Sequence, residues 1–143
     1  MKEFLLDYIS AQKHRWKVIP KVVYGPDFQD VVIMIFGKPR TAILAHIDTI
    51  GFTVRYANQL VPIGGPEAEW GFELTGEDSK GPIDCKLVPQ EGRLFHDFPR
   101  EIDRGTSLVF KSNFRRTEEY VQSPYLDNLL VVYIALKVEE KLE

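Results

Sequence analysis

His46 and Asp48 stand two residues apart in "ILAHIDTIGF" (43–52), directly after an apolar run. On an extended chain, residues two apart point to the same side, so a carboxylate would stand beside an imidazole. Such a carboxylate can fix the orientation of a metal-binding histidine. The plainer reading is a histidine at a strand end and an aspartate beginning a turn, and a lone H-x-D favours it. Context adds to the functional reading. The pair follows "AILA", Gly51 comes soon after, and ligand sites gather outside strand ends in α/β proteins. Asp127 is the second candidate. In "SPYLDNLLVVY" (123–133) it sits where a loop hands over to an apolar helix. Helix capping by Asp127 or Ser123 explains it without any chemistry. The functional alternative is a carboxylate held at the edge of the same sheet as His46, able to bridge two cations.

The elements that must position these residues change character along the chain. "EFLLDYISAQK" (3–13) places Phe4, Leu5, Tyr8 and Ile9 at helical spacing. "KVVY" (21–24), "VVIMIF" (31–36) and "TAILAHI" (41–47) read as strands, with "GKPR" (37–40) a turn between two of them. The second is apolar on both faces, as a buried strand should be. From about Thr53 to Val121, short strands are broken by "PIGGP" (62–66), "TGEDSKGP" (75–82), "PQEGR" (89–93) and "DRGT" (103–106). That spacing suggests a small barrel or sandwich, with "TSLVFKSNF" (106–114) as one strand. Leu126, Leu130, Tyr133 and Leu136 then fall on roughly one helical face. The order predicts an α/β sheet-based domain interrupted by a β insertion, with the chain returning at about residue 122.

Bulk properties narrow the function. The 143 residues suffice for one ordinary domain or two small ones. With 44% hydrophobic and 27% charged residues, the balance is that of a soluble globular protein. There are 18 basic and 21 acidic residues, and no basic stripe interleaves with aromatics, which speaks against a nucleic-acid partner. The apolar runs are too short for a membrane span. "MKEFLLDYISAQKHRW" carries acids within its apolar stretch, unlike a signal peptide. Cys85 stands alone, which excludes an internal disulfide and a cysteine metal cluster. A cytoplasmic location is expected.

Taken together, "AHIDTIGFTVRY", "IGG" (63–65), "RGTSLVFKSNF" and "SPYLDNLLVVYIAL" resemble the dinuclear metalloaminopeptidases of the glutamyl aminopeptidase and tetrahedral (deblocking) aminopeptidase type. The resemblance covers nearly the whole chain as the N-terminal part of such an enzyme. It implies a zinc-exopeptidase-like mixed sheet with helices over 1–53 and 122–143, and an inserted PDZ-like β-barrel over 54–121. It implies His46 as a metal ligand, Asp127 as the bridging ligand, and Asp48 as the catalytic aspartate that orients His46. Asn128 matches the second position of the family's D-D or D-N pair. The cofactor would be two divalent ions, zinc first, with cobalt or manganese as alternatives. The partners would be a peptide substrate and further copies of the chain, with the β insertion making subunit contacts. His96 falls in that insertion, outside any metal site of its own chain, and His14 reads as a surface or helix-end residue.

The sequence departs from the family in one respect. The paired Glu-Glu, later Asp and late His that complete the family's centre have no counterpart here. "EEKLE" (139–143) reads as the solvated end of a helix. A catalytic zinc takes three protein ligands plus water, so the 143 residues alone are expected to be inactive. The alternatives are a non-catalytic scaffold that keeps the fold, and a related zinc carboxypeptidase or deacylase sharing H-x-D.

Overall fold

Residues 82–87 run Pro-Ile-Asp-Cys-Lys-Leu, an alternation that suits a strand with one covered face. The computed structural model, which describes residues 1–28 and 30–139, builds a ten-residue strand on this stretch. In chain order the elements are α1 (Lys2–Gln12), β1 (Lys21–Val23), β2 (Ile33–Ile35), β3 (Gly51–Val54), β4 (Gln59–Ile63), β5 (Glu73–Asp78), β6 (Gly81–Gln90), β7 (Arg93–His96), β8 (Ser107–Phe110), β9 (Arg115–Arg116), β10 (Val121–Gln122) and α2 (Leu126–Glu139). Short 3-10 turns lie at Lys13–Arg15 and Pro26–Phe28. The chain forms two compact units: Met1–Asp48 with Asp127–Glu143, and Thr49–Leu126.

The second unit is a closed antiparallel barrel in the order β3-β4-β7-β6-β5-β8. Closure pairs both edges of each strand and removes the open edges that invite aggregation. Ile83, Cys85 and Leu87 of β6 point inward, while Asp84 and Lys86 face solvent. With Phe52, Val54, Leu60, Leu74, Ile102 and Leu108 they form the core. Each fully buried Leu, Ile or Phe side chain here contributes about 1.5–3 kcal/mol. Phe110 meets Phe52 and Phe72 edge to face, with ring centroids 5.7 and 5.8 Å apart.

Turn chemistry sets the register. Glu91 and Gly92 link β6 to β7 with φ of 50° and 75°, as a two-residue type I′ hairpin requires. Gly76 has a different reason. A Cβ there would sit 2.5 Å from the Ser107 carbonyl oxygen, so β5 and β8 could not approach as they do. Asp78, with no solvent-exposed side-chain surface, accepts Arg100 guanidinium hydrogen bonds at 2.6 and 2.9 Å and the Asp103 N–H at 3.2 Å. This clasp ties the segment after β7 to the β5–β6 hairpin.

The first unit has much less interior. Its buried apolar side chains among the described residues are Ile9 of α1, Pro20 and Trp16, the last tilted against Phe36 with ring centroids 6.4 Å apart. β1 and β2 pair antiparallel as a two-stranded ribbon, Lys21 opposite Ile35. Three expectations are corrected in this unit. Residues 41–47 form no strand; the apolar composition gives a chain with no regular structure, and Ile43 and Leu44 are 64% and 87% exposed. A ladder needs a neighbour to accept and donate its hydrogen bonds, and among the described residues no strand runs beside this one. "VVIMIF" yields only the three-residue β2, with Val31 and Ile33 exposed instead of buried. On α2, Leu130 and Tyr133 of the expected buried stripe are exposed, because the helix is apolar nearly all round. Glu139 closes α2, and residues 140–143 of "EEKLE" lie outside the described residues. No helix among the described residues is long and apolar enough to cross a membrane.

Candidate metal centre

The three residues singled out by type and spacing come together at one place in the first unit. His46 and Asp48 stand at the end of the 41–48 segment, and Asp127 stands at the entry to α2. Asp127 and Asn128 depart from helical geometry, with φ/ψ of −90°/109° and −118°/19°, and the peptide between them is cis.

His46 Nδ1 lies 3.2 Å from the Asp48 carbonyl oxygen and 3.3 Å from Asp48 Oδ1. Both are acceptors, an arrangement that suits the tautomer with its proton on Nδ1. His46 Nε2 lies 3.8 Å from Asp127 Oδ1. In that tautomer the Nε2 lone pair faces a carboxylate oxygen. Two such acceptors face each other favourably only with a proton or a cation between them. Zinc holds N and O ligands at about 2.0–2.2 Å in tetrahedral geometry, which sets two donors roughly 3.4 Å apart. The 3.8 Å separation is close to that value. The His46 side chain is half exposed, and those of Asp48 and Asp127 are almost fully so.

The donor set is short. Among the described residues no group of three or more His, Cys, Asp or Glu side chains is placed to hold a metal. Asn128 follows Asp127, and its buried Oδ1 has no hydrogen-bond partner among the described residues. Sequence alone singled out Asn128 only as the neighbour of Asp127. Its orphaned oxygen and the cis peptide have no signature in composition or periodicity.

Other candidates fall elsewhere. His96 ends β7 inside the barrel, 4% exposed, and its Nδ1 accepts the Phe98 N–H at 3.2 Å. Its Nε2 has no partner among the described residues. Burial pushes its pKa down, opposed by the nearby Asp97 carboxylate. Burial also pushes the Cys85 thiol up to about 11, which makes it a packing residue and a poor nucleophile. His14 is exposed in the 3-10 turn after α1. A hollow of about 170 Å³ beside Asp84, Lys86 and Lys111, and one of about 480 Å³ beside Tyr8, Arg15 and Lys137, are lined by none of His46, Asp48 or Asp127.

No protein-family model matches the chain, and no curated protein matches it. A solved structure does. The chain shares the fold of PhTET1-12s, solved as a dodecamer in the asymmetric unit, with a TM-score of 0.68 and 20% identity. The match covers 99% of this chain and 50% of that one, so the chain spans about half the length of its structural neighbour.

Proposed function

We propose that this chain carries part of a dinuclear metallopeptidase centre of the aminopeptidase kind. The observation that carries the reading is the His46 Nε2–Asp127 Oδ1 approach of 3.8 Å, with Asp48 behind Nδ1. Its fold-level support is the likeness to PhTET1-12s, a tetrahedral aminopeptidase. In this reading residues 1–53 and 122–143 belong to a catalytic domain, and 54–121 form an inserted barrel.

His46 would hold a divalent ion through Nε2, and Asp127 would hold it through a carboxylate oxygen while reaching a second ion through the other. When bound, such ions polarise a scissile carbonyl and acidify a bound water. Asp48 fixes the imidazole tautomer by accepting from Nδ1, which leaves the Nε2 lone pair for the metal. A general base beside the metal-bound water would contribute a further ~10²–10⁴ to hydrolysis. The substrate would be a peptide with a free N-terminus. Homo-oligomerisation, as in the dodecameric neighbour, belongs to the same proposal and is read by light scattering.

Zinc titration of the metal-free chain tests the reading: binding that His46→Ala and Asp127→Ala each abolish supports it, and unchanged binding refutes it. A second reading is favoured by the short donor set. A scaffold that keeps the fold without the chemistry would bind no zinc and show no chelator-sensitive release of N-terminal residues.

A further inference from the structure

Residues 111–122 are exposed throughout, and β9 and β10 within them pair only with each other. They form a ribbon closed by a turn in which the Thr117 N–H donates to the Tyr120 carbonyl oxygen at 2.9 Å. β10 lines one side of β9, and among the described residues no strand lines the other. Open edges of this kind are templates for a further strand, and charged side chains on them serve to repel one. Here the charges have an order that repulsion does not require. The stretch runs Phe114-Arg115-Arg116-Thr117-Glu118-Glu119-Tyr120, and its signs invert about Thr117. Phe114 and Tyr120 stand at equal distances on either side, 63% and 55% exposed. The chain does not use this complementarity on itself. Across the ladder Arg115 faces Gln122 and Arg116 faces Val121, so neither arginine stands opposite a glutamate. Among the described residues no ion pair involves Arg115, Arg116, Glu118 or Glu119. The Arg115 Nε–H donates instead to Asn113 Oδ1 at 3.4 Å.

We propose that this ribbon is a two-fold contact between copies of the chain, the free edge of β9 lying antiparallel to the same edge of its partner with Thr117 on the axis. In an antiparallel register, residues directly opposite share a face of the sheet. Arg115 then meets the partner's Glu119, Arg116 meets the partner's Glu118, and Phe114 meets the partner's Tyr120. Each of these contacts is made twice, because a two-fold interface is isologous. A parallel copy, or a register shifted by two residues, sets like charge against like charge. Exposed ion pairs add little affinity, so these fix orientation and register while the aromatic contacts and the strand edge hold the copies together. The proposal rests on the homo-oligomerisation proposed above, for which it names one contact, and on no part of the metal centre.

The test is sedimentation velocity on the full 143-residue chain and its charge variants. Arg115→Glu with Arg116→Glu makes the edge wholly acidic, and Glu118→Arg with Glu119→Arg makes it wholly basic. All four side chains are exposed, so the near-ultraviolet circular dichroism of the barrel should not change. Each paired variant alone should self-associate at least about tenfold more weakly than the wild-type chain, and mixing the two should recover a mixed dimer. All four substitutions in one chain should restore self-association. Salt at about 1 M, where the Debye length is about 3 Å, should weaken the wild-type dimer. A wild-type chain that stays monomeric would overturn the proposal. Paired variants that self-associate as the wild-type chain does would overturn this contact alone and leave homo-oligomerisation standing on another surface. Loss in both variants without recovery in their mixture would also overturn it. Zinc binding should be the same in every variant, so the metal reading stands or falls separately.

Discussion

At the scale of single residues, His46 has acceptors at both ring nitrogens. Asp48 accepts on one side and Asp127 faces the other. Asp48→Asn weakens the hydrogen bond that fixes the tautomer without removing a ligand. It should lower zinc affinity by about 10–100-fold, read by competition with a chromophoric chelator. His96 yields a prediction of the opposite kind, about stability. Its folded pKa lies below the ordinary histidine value because burial disfavours the charged ring. The unfolded chain therefore takes up this proton first as pH falls. The stability held by neutral His96 is full above about pH 6.5 and is lost as pH drops below it. Denaturant midpoints of the barrel should fall between pH 7 and pH 5, and His96→Gln should flatten that fall. The carboxylates of Asp78, Asp84 and Asp103 are held below the usual range by Arg100, Lys111 and Ser79 respectively, so their effects belong to more acid solutions.

At the scale of elements, the barrel and the first unit respond to different substitutions. Leu87→Ala and Leu108→Ala each empty a fully buried site and should cost about 2–5 kcal/mol in urea unfolding of the barrel. Ile134→Ala, on the exposed side of α2, should change stability by no more than about 0.5 kcal/mol. Barrel structure was legible where side chains alternate, as in "TSLVFKSNF" (106–114), which holds β8, and where turn residues break the chain, as in "PQEGR" (89–93) around Glu91-Gly92. The stretch "TAILAHI" was not legible. An apolar run specifies extended backbone and burial only if a neighbour exists to pair with it, and local composition cannot say whether one does. The same limit applied to α2, where "LLVVYIAL" reads as buried although half of its surface is open. His46, Asp48 and Asp127 drew attention by type and spacing, and the structure places both carboxylates within 4 Å of the His46 ring.

At the scale of the whole molecule, the interior is unevenly shared. The barrel has nine buried core residues, and the first unit has Ile9 and Trp16 as its buried large apolar side chains among the described residues. Local opening follows such differences. Amides of β3 to β8 should exchange only through global unfolding of the barrel, and those of β1, β2 and α2 should exchange through much cheaper local openings. Residues 49–126 expressed alone should unfold cooperatively with the same midpoint transition as the barrel in the full chain, monitored by near-ultraviolet circular dichroism.

The most direct measurement is a zinc titration of the metal-free chain beside His46→Ala, with bound metal counted by mass spectrometry under native conditions. The expected result is zinc bound by the wild-type chain and affinity lowered at least about tenfold in His46→Ala. Equal zinc content in the two proteins would contradict the assignment of His46 and Asp127 as the metal-holding pair.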